Sequence, residues 1–326
     1  MRKLFNLFIL LLFFTLITQS CGNNRESVKG ALTSVSETQD IYDISLTDMR
    51  VRDPFILVDK KNKAYYMHVN GNKKVKLYKS KNLSMWKEME VAFSPDNEFW
   101  GKSDFWAPDV YHYKNRYYLF ITLSAPGIKR GTSILVADTP EGPFIPLVNR
   151  AVTPADWMSL DGALYIDRDD TPWIIYCHEW LEVGDGEVIV QQLKADLTET
   201  VGEPKVLFKA SEAPWVGDIS SANTTGKVTD APFIYKLDDG QLIMLWSSFN
   251  KNGRYCIGQA ISKSGDLLGP WIQESEPLNK DDGGHAMLFK DLNGRLMISY
   301  HAPNSKSETP VIKQVYINNG KVVIPE

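Results

Sequence analysis

Apolar and polar positions along the chain alternate in a pattern that recurs. Short apolar runs come in pairs split by a polar turn, and helical periodicity is nearly absent, so each pair predicts a β-hairpin. Five pairs share one plan. They are Asp53-Pro-Phe-Ile-Leu-Val-Asp59 with Tyr65-Tyr-Met67, Ala107-Pro-Asp-Val-Tyr111 with Tyr117-Tyr-Leu-Phe120, and Asp161-Gly-Ala-Leu-Tyr-Ile-Asp167 with Trp173-Ile-Ile-Tyr176. Asp230-Ala-Pro-Phe-Ile-Tyr-Lys236 with Leu242-Ile-Met-Leu-Trp246, and Gly284-His-Ala-Met-Leu-Phe-Lys290 with Leu296-Met-Ile-Ser-Tyr300, complete the set. Turns such as Asp238-Asp-Gly240 and Leu292-Asn-Gly294 separate the runs. Starting positions 53, 107, 161, 230 and 284 lie 54, 54, 69 and 54 residues apart, so the third interval carries about 15 extra residues. Four of the hairpins are followed by further strand-like stretches, marked by Leu83-Ser-Met-Trp86, Thr139-Pro-Glu-Gly-Pro-Phe144, Ala195-Asp-Leu197 and Leu268-Gly-Pro-Trp271. Four strands per repeat of this length describe an all-β, five-bladed β-propeller with four-stranded antiparallel blades around a central channel.

That geometry places chemistry. The residues that open the innermost strands converge near one mouth of the channel: Asp53, Ala107, Asp161, Asp230, and Gly284 with His285. One Asp beside Pro or Gly is ordinarily a turn or cap residue. Three carboxylates and a histidine on one axis repel and desolvate one another, which is costly unless the site uses them.

Composition narrows the setting. The chain has 326 residues, 43% of them hydrophobic and 11% aromatic, which excludes a disordered protein. Residues 1–20 read as an export signal, with Arg2 and Lys3 ahead of an apolar run from Leu4 to Ile17. Ser20-Cys21-Gly22 predicts cleavage at a lipidated Cys21, residues 21–40 a polar tether, and residues 41–326 the propeller. Acyl chains on Cys21 would hold the protein at a membrane surface, and no later run is long enough to span a bilayer. Without Arg2 and Lys3, 34 basic residues face 40 acidic ones, so no basic field exists to hold nucleic acid. Cys177 and Cys256 lie in apolar runs and are expected as buried thiols, and no Cys/His spacing of the zinc type occurs.

Cleaving a glycosidic bond takes two carboxyl groups on opposite sides of the anomeric carbon. One protonates the leaving oxygen. In the inverting reaction the other deprotonates a water, with roughly 6.5–9.5 Å between them to admit it. A third carboxylate near the acid raises its pKa by like-charge repulsion. The chain resembles glycoside hydrolase family 43, five-bladed propeller enzymes acting on arabinose-, xylose- and galactose-containing polysaccharides. The matching residues are Arg52-Asp-Pro-Phe55, Phe105-Trp-Ala-Pro-Asp109, Asp161-Gly162, Asp230-Ala-Pro-Phe233 and Gly283-Gly-His-Ala286. The resemblance implies Asp53 as general base, Asp161 as the residue that orients and tunes the acid, and Asp230 at the acid position. It also implies that His285 points into the channel, beside a calcium ion held largely through waters. The family usually has Glu where this chain has the shorter Asp230, so Glu179 in Tyr176-Cys-His-Glu-Trp180 is the alternative donor and Glu187 a third choice.

Aromatic side chains fit a carbohydrate site, because sugar C–H faces stack on rings. Trp106, Trp180 and Trp215 are expected near the mouth, while Trp86, Trp173, Trp246 and Trp271 read as core. Phe55 is expected as a floor or wall of the sugar pocket, Arg52 at the substrate paired with a carboxylate or only with solvent, and His178 beside Glu179 at the substrate. His68 and His301 end their hairpins in corresponding places and read as structural. The resulting expectation is an exported, lipid-anchored monomer that removes terminal sugars from plant-type polysaccharides, α-L-arabinofuranose first, by exo-acting inverting hydrolysis. β-D-Xylosidase or β-D-galactofuranosidase activity on the same scaffold, and a glycan-binding lipoprotein without hydrolysis, are the alternatives.

Overall fold

The computed structural model describes residues 41–221 and 224–325. The expected export signal, tether and Cys21 lie outside them. Apolar runs and polar turns fold as five antiparallel sheets in chain order, each built from one contiguous stretch of chain. Blade 1 holds Phe55–Asp59, Ala64–Asn70, Val75–Ser80 and Met85–Glu88, with the short strand Ile44–Ser45 added at its outer edge. Blades 2, 3 and 4 open with Ser103–Tyr113, Ser159–Ile166 and Asp230–Lys236 and have four strands each. Blade 5, Gly284–Lys290, Leu296–Ala302 and Thr309–Gln314, has three among the described residues, and a small hairpin, Tyr316–Asn318 with Lys321–Val323, follows it. The first strand of each blade touches that of the next, and the fifth touches the first, which closes the ring of a five-bladed propeller. None of its helices is long and apolar enough to cross a membrane, among the described residues.

Every first strand begins with the same irregularity. Asp53, Ala107, Asp161, Ala231 and His285 all have positive φ, between 45° and 58°. In blades 2 to 5 the pairing register slips at this point, between Trp106 and Asp109, Leu160 and Ala163, Asp230 and Phe233, and Gly284 and Met287. This is a β-bulge, one extra residue that turns the strand inward at the rim. It corrects the alignment made from sequence. Ala231 and His285, not Asp230 and Gly284, share the place of Asp53 and Asp161. Asp230 stands one residue earlier, paired with Ser247, as Gly284 pairs with His301. A period-two pattern does not register one unpaired residue.

The core lies between neighbouring blades. Trp86 and Trp246 are fully buried, Trp271 nearly so, Trp173 packs against the same clusters, and Cys177 and Cys256 are buried free thiols. The long third interval forms a hairpin, Ile219–Ser221 with Thr224–Gly226, against the short helix Trp180–Val183. There a Cβ on Gly226 would stand 2.0 Å from the carbonyl oxygen of Gly184. Gly226→Ala is therefore expected to cost roughly 1–3 kcal/mol and to push the helix carrying Trp180 out of place. Thermal unfolding of the variant, read beside its KM, checks both effects.

Candidate active site

Three bulge positions bring ionisable side chains to the axis. The Nδ1 of His285 lies 3.1 Å from an oxygen of Asp53 and 3.9 Å from one of Asp161, and His301 Nδ1 is 3.3 Å from the same Asp53 oxygen. The bulge N–H groups are held by the blade before. Asp161 N–H donates to Thr122 Oγ1, His285 N–H to Ser247 Oγ, and Asp53 N–H to His301 Nδ1. Each of the three residues is thus fixed by its own backbone before its side chain meets the others. Ala231, at the fourth such position, donates its N–H to Asp161 Oδ2 at 3.0 Å. Asp161 thereby pins the strand that carries Asp230.

Asp230 enters from beside the bulge. Its Oδ2 accepts a hydrogen bond of 2.9 Å from the Tyr255 hydroxyl, and the Tyr255 ring stacks on His301. A cleft of about 340 Å³ is lined by Asp53, Asp161, Asp230, Glu179, Tyr255 and His285, with Arg52, Asn70, Trp106 and Trp180 among its walls. Glu179 faces this cleft with its carboxylate bonded to Arg130, whose Nε lies 3.1 Å from Asp104 and whose guanidinium covers Trp106 at 4.5 Å. Tyr255, Arg130, Asp104 and Asn70 were not singled out from sequence. Tyr255 stands in an apolar strand and Arg130 and Asp104 in polar stretches, and only the fold brings them together.

Burial and charge set the protonation pattern. Burial alone would raise the Asp53 carboxyl, but the His285 imidazolium and its hydrogen bond, with His301 close by, hold it well below the usual carboxylate range. Burial drives Asp161 up to about 7, with His285 opposing and the charges of Asp230 and Asp53 adding to the rise. Burial also raises Asp230, against its hydrogen bond from Tyr255 and the charges of His285 and Arg52. Burial would lower His285, yet Asp53 and Asp161 lift it to about 10, so it is a cation at neutral pH. Beneath it Asp109 is pushed up to about 8 by burial, and its Oδ1 is buried without a partner.

Other expected site residues are placed elsewhere. Trp106 is 37% exposed in the cleft and Trp180 lines it while only 7% exposed. Trp215 is 6% exposed and packs on Trp246 at 5.5 Å, so the core takes it from the mouth. Phe55 is buried against Tyr111 and Phe233 and lines the hollow beneath His285 and not the cleft itself. His178 stacks on Trp157 at 4.2 Å between the carboxylates of Glu182 and Glu187, away from the cleft. Glu187 also pairs with Lys209 and does not line the cleft. Arg52 lies 3.8 Å from Asp53 and donates to Asn304. His68 is fully buried on the carbonyl of Pro140.

The donor set does not fit direct coordination of calcium. A hard cation takes six to eight oxygens. Among the described residues no group of three or more His, Cys, Asp or Glu side chains could hold a metal, and His285 Nδ1 is committed to Asp53. The hollow beneath His285 and Asp109 measures about 10 Å³, room for about one water.

One carboxylate held ionised and one carboxyl kept high, around a single cleft, are the two groups that glycosidic hydrolysis needs. The pH dependence follows. On the acid side kcat/KM is expected to hold to below the usual carboxylate range, and on the alkaline side to fall only above that range, as the raised Asp161 and Asp230 carboxyls ionise. His285→Gln removes the cation that depresses Asp53, so the acid limb should move upward, as a pH–rate profile of the variant would read.

Known proteins share this fold. The crystal structure of an endo-arabinase from Bacteroides thetaiotaomicron superposes with a TM-score of 0.86 at 63% identity, covering 86% of this chain and 100% of that one. The extracellular exo-α-(1→5)-L-arabinofuranosidase ArbA of Cellvibrio japonicus is 22% identical over 257 residues, 74% of this chain and 71% of that protein. The extracellular endo-α-(1→5)-L-arabinanase 1 of Bacillus subtilis is 22% identical over 229 residues, 64% of this chain and 63% of that protein. The family model for glycosyl hydrolases family 43 matches residues 42–322, nearly the whole propeller, and the chain belongs to that family of glycosidases.

Proposed function

We propose that the chain is an inverting hydrolase of α-L-arabinosyl linkages that cuts within arabinan chains. Asp53 takes a proton from water as the water oxygen bonds to the anomeric carbon. Asp230 gives its proton to the leaving oxygen as the glycosidic C–O bond breaks, and Asp161, which accepts from Ala231 N–H, holds in place the strand that carries Asp230. The carrying observation is the contrast within one cleft between Asp53, clamped by two histidines, and Asp230, raised by burial. The names of the arabinan-active relatives support the sugar, and the 63% identical endo-arabinase supports internal attack.

The cleft also favours chains that extend beyond the cut. It runs into a second hollow of about 480 Å³ through shared walls at Arg52, Asn70 and Trp106. The exo reading is favoured by the relative named as an exo-arabinofuranosidase. Time-resolved product analysis on linear α-1,5-arabinan separates them. Internal attack gives a ladder of oligosaccharides early, whereas a single short product from the first minutes supports exo action. Export and a lipid anchor at Cys21 are part of the proposal, supported for export by the extracellular relatives. Labelling by a fatty acid in cells, lost in Cys21→Ala, tests the anchor.

A further inference from the structure

The second hollow carries a charge that a neutral arabinan does not use. Its walls include Arg50, Arg52 and Lys73, in a chain whose net charge is −4. Two carboxylates share those walls. Asp104 is committed to Arg130 and to the Ser124 hydroxyl, and Glu308 acts on Arg52. Among the described residues Arg50 and Lys73 make no ion pair; Arg50 donates only to the Met49 carbonyl. Two cations therefore face a solvent-filled hollow that opens into the catalytic cleft.

Backbone conformation sharpens the point at Lys73. It is the second corner of the tight turn between Ala64–Asn70 and Val75–Ser80, which is closed by the bond from Gly71 N–H to the Lys74 carbonyl. Asn72 and Lys73 have φ of 60° and 64°. Such corners favour Asn followed by Gly, and a lysine at the second costs stability that glycine would not. A strained residue that also faces a cavity points to a task for its side chain.

We infer that this hollow is a subsite for a uronate, a carboxylate-bearing sugar of the same glycan whose arabinosyl linkage is cut in the adjoining cleft. Lys73 and Arg50 supply the charge and Arg52 and Trp106 join the subsite to the cleft. The inference rests on the proposed glycan hydrolysis, so its test reads binding apart from turnover. In the Asp53→Asn background, titration calorimetry compares an arabino-oligosaccharide carrying one galacturonate with its neutral counterpart. The uronate sugar is expected to bind about fivefold more tightly at low salt, in the range of a partly exposed ion pair, and the advantage to shrink at 0.5 M NaCl. Lys73→Gly should abolish most of the advantage while melting no lower than the parent, because glycine takes the turn without strain. Equal affinities for the two sugars, or a Lys73→Gly protein that melts lower and keeps the preference, overturn the subsite. If neither sugar is cleaved by the wild-type protein, the proposed hydrolysis fails while the binding comparison still decides this inference.

Discussion

Asp53→Asn is expected to lower kcat/KM by about 10²- to 10⁴-fold, and to do so equally on aryl arabinofuranosides and on arabino-oligosaccharides. The base acts on water, and the leaving group makes no difference to that step. The substitution also removes the charge that holds His285 protonated, so the histidine should titrate below its present value of about 10, and an NMR titration of the imidazole would show it. A variant that keeps a tenth or more of wild-type kcat/KM would place the base elsewhere. The fold should survive, since the isosteric amide leaves the Asp53 backbone N–H on His301 Nδ1.

The acid gives the second large effect, and its signature is a difference between substrates. Asp230→Asn is expected to lose about 10²- to 10⁴-fold on oligosaccharides but much less on 4-nitrophenyl arabinofuranoside, whose leaving group departs without a proton. Glu179→Gln should weaken both substrates by a similar factor, through KM. Its carboxylate is bonded to Arg130, which also covers Trp106; burial raises Glu179 against that pairing, so the substrate split is what tells the two candidates apart. If Glu179→Gln instead shows the split between substrates, the acid is Glu179 and Asp230 only positions the sugar. The shorter side chain of Asp230 is what makes the comparison necessary.

Much of this was legible in the chain. Hairpin spacing sufficed for the propeller, because each blade is one contiguous stretch whose alternation reports its own burial. Asp53, Asp161 and His285 were legible because they open repeats. What the period could not convey was the bulge, since the extra residue interrupts pairing without disturbing the apolar runs on either side. A signal was nevertheless present: Asp53-Pro54, Ala107-Pro108 and Ala231-Pro232 align on their prolines, which puts Ala231 opposite Asp53 and moves Asp230 one place upstream. Trp215 and His178 misled for another reason. Both lie near the mouth along the chain, yet a large ring beside a partly filled core is drawn inward, and a histidine between two glutamates is satisfied where it stands. Tyr255 and Arg130 acquire meaning only through partners far away in sequence.

Among the described residues the ring is closed without a strand shared between its two ends. Blade 5 meets blade 1 through side chains: Ser299 Oγ donates to the Pro54 carbonyl, Leu292 N–H to the Tyr65 hydroxyl, and Met287, Phe289 and Met297 pack with Phe55, Ile56 and Met67. Asp53 sits on that seam, with its N–H on His301 and its carboxylate on His285, both from blade 5. The least covalently guarded joint of the ring is therefore also where the water-activating group is aligned. On warming, catalysis would be extinguished by a parting of the two end blades that leaves every individual sheet intact, so inactivation should precede the loss of β-structure seen by circular dichroism. Engineering for heat tolerance would accordingly gain more from a clasp across blades 5 and 1 than from any improvement inside a blade.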